Sequence, residues 1–357
     1  MFRGPGGPKI LMKPFINLFG QVTKFENLFN AYRDARKGKR YDSEILSFEF
    51  NAEENLLKLK RELEGWTYCH GGYREFIVND SKKRRIKAAP FRDRVVHHAL
   101  CNIIEPVFEP TFIYDSYACR KEKGTQRALR RLKMFLRSMA AMQGGNKIPE
   151  IYCLQCDISK YFDSINHDIL FEMIKGRIGD KKILWLVKEI LNSNNHETGK
   201  GIPIGNLTSQ LFANVYLNEL DQFIKRSLKR RYYIRYMDDF LNFSTDKQEL
   251  WQMKDKIADF LRNKLDLSFH PKKANVFPAA QGIEFLGYKV FSDYRILKQN
   301  TVKRIIKRVK RYKKEIRNGT MEKEKLALSV QSWRAYAEIA KSWYTINKIT
   351  KSALPKS

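Results

Sequence analysis

Acids are few in this sequence. Among its 357 residues, 39 are Asp or Glu against 68 Lys or Arg, a formal net charge of +29. Such an imbalance favours a polyanionic partner bound with strongly salt-dependent affinity, although charge by itself does not choose between RNA, DNA and a membrane surface. Long apolar runs are missing as well: none approaches the roughly 20 residues of a spanning helix, and Met1-Phe2-Arg3-Gly4-Pro5-Gly6-Gly7 has no secretory apolar core. A cytoplasmic protein with no membrane association is expected. Cysteine is scarce, and Cys69, Cys101, Cys119, Cys153 and Cys156 form an odd set without disulfide-like regularity, which suits a reducing compartment. Cys153 and Cys156 lie three apart in a predicted strand, so they face opposite sides, and no second Cys or His pair stands at finger spacing. Neither a zinc centre nor a redox pair is expected. His97-His98 reads as one buried and one exposed ring on a helix, placed by packing rather than chemistry.

The acids that are present are arranged tellingly. In Tyr236-Met237-Asp238-Asp239, between residues 231–235 and 240–244, the alternation of Tyr232, Ile234, Phe240 and Phe243 predicts strand, turn and strand, with Met237-Asp238 at the bend. Two carboxylates projected together raise each other's proton affinity, and a divalent cation with oxygen ligands relieves them. Taken alone, an Asp-Asp turn is more often a solvated turn. A third acid changes the balance. Asp157 ends the apolar run Ile151-Tyr152-Cys153-Leu154 and precedes Ile158-Ser159-Lys160-Tyr161-Phe162. Phosphoryl transfer by two metals needs acids from separate strands converging on ions roughly 3.5–4 Å apart. Asp157 and Asp238 are the expected shared ligands of two Mg2+ ions, with Mn2+ a possible substitute and Asp239 the third acid.

With these residues in view, the chain resembles the reverse transcriptases from about Phe25 to its last helix. The blocks fall in the family's order: Lys82-Lys83-Arg84-Arg85-Ile86 and Pro90-Phe91-Arg92-Asp93-Arg94; Ser116-Tyr117-Ala118-Cys119-Arg120 with Gly124-Thr125; Asp157 to Phe162; Gly201-Ile202-Pro203-Ile204-Gly205-Asn206-Leu207-Thr208-Ser209-Gln210; Tyr236 to Asp239; then His270-Pro271-Lys272-Lys273 and Gly282-Ile283-Glu284-Phe285-Leu286-Gly287-Tyr288. Within the family, the finer resemblance is to enzymes of diversity-generating retroelements, in a lineage that also holds group II intron and retron enzymes. It rests on Ile204 where Gln is usual, on Ser209-Gln210 where Ser-Pro is usual, on the run Ala89 to Leu100, and on Glu26-Asn27-Leu28 leading to Ala35-Arg36-Lys37-Gly38-Lys39-Arg40. An Ile cannot hydrogen-bond in the nucleotide pocket as Gln can, so some checking of the nascent pair would be lost.

The resemblance implies an α+β right-hand polymerase with fingers, an antiparallel-sheet palm packed on helices and a helical thumb. Expected boundaries are 1–150 for N-terminal helices and fingers, 151–290 for the palm and 291–357 for the thumb. It implies catalytic and metal roles for Asp157, Asp238 and Asp239. Contact with the incoming deoxynucleotide falls to Lys82, Arg84, Arg85, Ile158, Phe162 (the gate against a ribose 2′-OH), Ile204, Gly205, Ser209, Gln210 and Lys272, with Lys272 or Lys273 assisting the departing pyrophosphate. Phe285, Leu286, Gly287 and Tyr288 would hold the primer end. Arg92, Arg94, Arg120, Arg127, Lys303, Lys307, Arg308 and Arg311 are the cations expected to meet nucleic acid. Implied partners are template RNA, the cDNA primer strand, dNTPs and a small helical-bundle accessory protein oligomer, in a bacterial or phage-encoded setting. A defence-associated or retron-type enzyme is the alternative, and an inactive nucleic-acid-binding scaffold a second; maturase and endonuclease extensions of group II intron enzymes would need a longer chain.

The pattern also predicts local structure. Phe25, Leu28, Phe29 and Tyr32 mark one helical face in a segment helical to about Leu63. Strands around 73–78 and 84–89 flank a turn at Asn79-Asp80-Ser81. A basic helix over 120–137, interrupted at Gly124, precedes a loop over 138–149. A helix carrying Ser209, Gln210 and Ala213 ends near Phe223. Val302, Ile305, Val309, Tyr312 and Ile316 form a helical apolar stripe whose other faces are cationic, and a second helix, 329–349, carries Trp333, Tyr336, Ile339, Ala340 and Trp343.

Overall fold

A computed structural model describes residues 14–79, 83–142, 150–194 and 199–353. Helices α1 (Phe19–Val22), α2 (Phe25–Ala35), α3 (Ser43–Phe50) and α4 (Ala52–Glu64) open the chain, and the Asp42 carboxylate caps α3 by accepting from the Glu44 amide. The predicted face of α2 is narrower than its spacing suggests: Leu28 and Tyr32 are buried, whereas Phe25 and Phe29 remain exposed. Tyr32 meets Phe48 and Phe91, so α3 and the long helix α5 (Phe91–Phe108) cover only one flank. Before α5, β1 (Arg74–Asn79) and β2 (Lys83–Ala88) form an antiparallel hairpin in which Arg74 pairs with Ala88. Its predicted turn residues Asp80 and Ser81, together with Lys82, lie outside the described residues.

Helix α6 (Thr125–Met142) corrects two expectations. Gly124, at φ +89°, turns the chain before the helix begins, so Arg120 stands outside it. The helix then runs through Ser138 into the stretch expected to loop, because Ala128, Leu129, Leu132, Phe135, Leu136 and Met139 keep helical spacing and are buried. Residues 143–149 lie outside the described residues.

The central sheet has the order β4-β5-β3-β6, built from β3 (Tyr152–Ile158), β4 (Tyr233–Tyr236), β5 (Asp239–Ser244) and β6 (Phe269–Pro278), all antiparallel. Period-two alternation sends Leu154, Cys156, Tyr233 and Phe240 into one core and Cys153, Ile234, Leu241 and Phe243 into the other. Phe240 and Phe243 are three residues apart and therefore separate, and Cys153 and Cys156 divide as their spacing predicts. Full burial of each such side chain contributes roughly 1.5–3 kcal/mol.

Beneath the first face lie α7 (Tyr161–Ser164), α8 (His167–Lys175), α9 (Lys181–Asn192), α10 (Leu207–Gln222) and α11 (Lys247–Leu265), continuous with the N-terminal helices. The second face is covered by α6, by a small sheet of β7 (Ile283–Phe285), β8 (Tyr288–Val290) and β9 (Arg295–Leu297), and by α12 (Gln299–Arg317), α13 (Lys323–Ala337) and α14 (Trp343–Ala353). On α12 the stripe buries Ile305 and Val309 as its spacing predicts. The single helix expected over 329–349 is two. It breaks where the Lys341 amide donates to the Arg295 carbonyl (2.8 Å) and Ser342 Oγ accepts from the Leu297 amide (3.1 Å), tying the gap to β9. Trp333 is buried, whereas Trp343, beyond the break, is exposed. Among the described residues no helix is long and apolar enough to cross a membrane.

Candidate active site

Asp157, near the end of β3, and Asp239, at the start of β5, are direct cross-strand partners, so their carboxylates leave the same face of the sheet. Tyr236 pairs with Asp239, leaving Met237 and Asp238 as the two-residue bend. Met237 takes φ +57°, a conformation costing a non-glycine residue on the order of 1–3 kcal/mol. Next to Asp157 the β3–β6 pairing shifts register between Cys156 and Ile158. Bulges re-aim side chains beside active sites, and β6 here delivers Lys273, whose ammonium forms an ion pair with Asp157 Oδ2.

Gln155, two residues before Asp157 and on the same face, donates its amide to Asp239 Oδ1 (3.2 Å) and to the Glu284 carbonyl of β7 (3.0 Å). Burial pushes the Asp239 carboxyl up to about 7; Asp157 and Asp238 push the same way, while the Gln155 hydrogen bond and Lys273 oppose. Among the described residues no three His, Cys, Asp or Glu side chains are gathered ready to hold a metal ion, and Lys273 provides the positive charge at Asp157. The donors present are carboxylate oxygens, which suit a hard cation such as Mg2+ or Mn2+. The nearby thiols of Cys153 and Cys156 are buried and pushed far up by that burial.

The expected nucleotide contacts divide. Ile158 is 1 % exposed, so its side chain belongs to the core and only its backbone can face a ligand. Phe162 is half-buried beside Tyr161, and its carbonyl accepts from the Ile202 amide (2.8 Å), which pins the loop before α10. Ile204 is half-buried in that loop. Gly205 has φ +127°, and a Cβ there would stand 3.4 Å from Ile86 and 3.5 Å from the Lys87 carbonyl, so the loop runs against β2. Ser209 is buried and Gln210 half-buried on α10. The Arg84 backbone pairs with Val78, and the exposed Arg85 guanidinium stands 3.6 Å from Glu75. Lys272 is exposed; Lys273 is the lysine that reaches the carboxylates.

Three expected nucleic-acid cations are answered inside the protein. Arg92 pairs with Glu62, Arg94 with Glu44 (3.1 Å) and Arg120 with Glu109 (2.6 Å), each tying a loop or helix to its neighbour. Arg127 lies 3.8 Å from Glu122 and is exposed. Lys303, Lys307, Arg308 and Arg311 are exposed on α12, with Arg311 3.6 Å from Glu315. In the β7–β8 hairpin, Phe285 and Tyr288 are core residues, and the turn between them is half-buried, with Leu286 at φ +51° and Gly287 at φ +88°. That turn borders a cavity of about 340 Å³ shared with Arg304, Arg308, Trp333 and Tyr336.

Sequence reasoning passed over Gln155, and also Arg235 with its partners Asp221 and Asn214. The available signals were Gln155 at i−2 from Asp157 on a strand, and an arginine inside the apolar run Tyr233-Ile234-Arg235-Tyr236, where a cation must have a buried partner.

Aspartates paired across the strands of an antiparallel sheet, beside a tight acid-bearing turn and a flanking helix, are consistent with the right-hand polymerase fold. Residues 78–290, more than half of the chain, match the family model described as reverse transcriptase (RNA-dependent DNA polymerase), and the chain belongs to that family. It is 24% identical over 370 residues to the group II intron-encoded protein LtrA of Lactococcus lactis subsp. cremoris, covering 84% of this chain and 58% of that protein. To protein YkfC of Escherichia coli (strain K12) it is 25% identical over 256 residues, covering 61% of this chain and 66% of that one. The chain thus spans between about half and two thirds of these relatives' lengths. Among solved structures it is similar to apo telomerase from Candida tropicalis, at 13% identity and TM-score 0.45 over 69% of this chain and 59% of that one.

Proposed function

We propose that the chain is an RNA-directed DNA polymerase that extends a cDNA primer on template RNA by attack of the primer 3′-OH on the α-phosphate of a dNTP. The observation that carries it is the Asp157–Asp239 cross-strand pair beside the Asp238 turn, set within a match to the reverse transcriptase family. Asp157, Asp238 and Asp239 would hold two Mg2+ ions, which when bound supply the charge that activates the attacking oxygen and stabilises the leaving one. The chain's own part is positional. Gln155 orients Asp239 and ties it to β7, the Leu286-Gly287 turn and its cavity receive the primer end, and Phe162 closes the sugar side of the nucleotide. Lys273, released from Asp157, stands where the pyrophosphate departs. The test is Mg2+-dependent cDNA synthesis on a primed RNA by the wild type and by Asp238→Ala; equal incorporation by both would remove the assigned chemistry.

The finer reading is an error-prone enzyme of a diversity-generating retroelement, misincorporating opposite template adenines and working with a small helical-bundle accessory protein. Ile204 supports it, since an apolar side chain in the loop against β2 offers the nascent pair no hydrogen bond. The intron-encoded relatives favour a second reading, an intron-derived, retron-type or defence enzyme without adenine bias. Sequencing of cDNA made on a defined template separates them: errors concentrated opposite adenine support diversification, and an even spectrum supports the alternative.

A further inference from the structure

Arg235 sits one residue before Tyr236 and is wholly buried, as is Asp221 on α10. The two form a two-pronged ion pair, Nε to Oδ1 at 2.8 Å and the terminal NH2 to Oδ2 at 2.6 Å, and Tyr233 donates its hydroxyl to the same carboxylate at 2.6 Å. Burial lowers the guanidinium's proton affinity, but the Asp221 carboxylate outweighs it and the charge is retained. Its other terminal nitrogen points elsewhere. It donates to Asn214 Oδ1 (3.2 Å) and to the carbonyl of Met237 (3.0 Å), the positive-φ residue at the bend between Tyr236 and Asp238.

The strand around Arg235 is held from a second side. Its amide donates to the Asp115 carbonyl (2.9 Å) and its carbonyl accepts from the Tyr117 amide (3.0 Å). Asn214 closes the ring by donating to the Ala118 carbonyl (2.9 Å). The guanidinium therefore connects the acid-bearing turn to the helix that carries Ser209 and Gln210, while the Arg235 backbone and Asn214 tie both to the segment from Asp115 to Ala118.

We infer that Arg235 is a positioning residue: through the Met237 carbonyl it holds the strained turn in the one conformation that presents Asp238 and Asp239 together, and couples that turn to α10. A buried ion pair is weak ground for stability, since apolar residues of similar volume often replace one without loss. A guanidinium that merely filled the core would need no donor aimed at the Met237 carbonyl. The inference rests on the polymerase reading of this site, and its test contains readouts independent of polymerisation.

The experiment compares the wild type, Arg235→Met, and the double variant Arg235→Met with Asp221→Leu, which removes both buried charges. The single variant is expected to lose thermal stability and activity together, because it strands the Asp221 carboxylate. In the double variant, melting temperature recovers in part, short of the wild type by the Tyr233 hydroxyl left without its acceptor, while kcat on a primed RNA stays at least about tenfold low with unchanged primer–template affinity. Amide hydrogen exchange rises in the peptide covering residues 236–239, and Mn2+ binding measured by electron paramagnetic resonance weakens. Recovery of kcat, Mn2+ affinity and exchange protection along with melting temperature would reduce the pair to a structural element and overturn the inference. If the wild type makes no cDNA while exchange and Mn2+ binding follow the expected pattern, the polymerase reading fails and the positioning role stands.

Discussion

At the residue scale, identity and orientation separate cleanly at the lysines. Lys272 and Lys273 are equivalent as neighbours in a basic pair, but side chains alternate along β6, so Lys273 meets Asp157 and Lys272 faces solvent. Lys273→Ala is expected to lower kcat by about ten- to a hundredfold, whereas Lys272→Ala stays within about twofold, as an exposed substitution should; steady-state kinetics on a primed template reads the difference. Ile204→Gln is the matching test of fidelity. It is expected to reduce misincorporation opposite template adenine, and an unchanged error spectrum would detach that position from fidelity. Chemistry and motif spacing single out the three aspartates and the Ile204 departure in the sequence, and the strand register then sets Asp157 across from Asp239. Gln155 and Arg235 were not, because their importance lies in which atoms they reach across strands.

At the scale of elements, the β7–β8 hairpin and the join between β1 and α5 each depend on one close contact. A Cβ on Gly287 would fall onto the Tyr336 hydroxyl, at a backbone φ of +88°. Gly287→Ala is therefore expected to destabilise the hairpin–α13 contact by on the order of 1–3 kcal/mol, visible as a lower melting temperature and weaker retention of a primed template. Beneath β1, His97 Nε2 lies 3.2 Å from His70 Nε2, and the Tyr73 hydroxyl reaches both His70 and Ser193. Burial, and then the His70 and His98 rings, hold the His97 imidazole well below its ordinary 6.5. The unfolded chain takes up a proton as pH falls through 6.5 and the folded form resists it. The stability is thus fully present above that value and declines below it, by at most about 2 kcal/mol at pH 5. Melting curves from pH 8 to 5 should show a loss that His97→Leu flattens; equal slopes would remove His97 from the account. Periodicity revealed α2 and α12, but the break between α13 and α14 was hidden, because hydrogen bonds to β9 rather than any sequence breaker interrupt the helix.

At the scale of the whole molecule, the charge of +29 is divided between two tasks. Arg92, Arg94 and Arg120 close ion pairs that bind the scaffold together, while Lys303, Lys307, Arg308 and Arg311 stand exposed along α12. Replacing those four by Gln is expected to weaken RNA–DNA duplex binding and to lower the slope of log affinity against log salt by about 0.7–0.9 per lost phosphate contact; a fluorescence-anisotropy salt titration with an unchanged slope would place the duplex elsewhere. Composition could not make this division, because an arginine beside a helix reads the same whether or not a glutamate from a distant segment lies opposite. What the sequence by itself determined was the chemistry on offer: ordered acid-bearing motifs, a basic surface, two-faced strands and helices with narrow apolar stripes. Only the tertiary structure decided the register that sets Asp157 across from Asp239, the choice of Lys273 over Lys272, and the buried Arg235 that holds the Met237 turn. Periodicity is a local property written along the chain, whereas a pairing between residues 14 to 116 positions apart exists only once the strands and helices that carry them have packed.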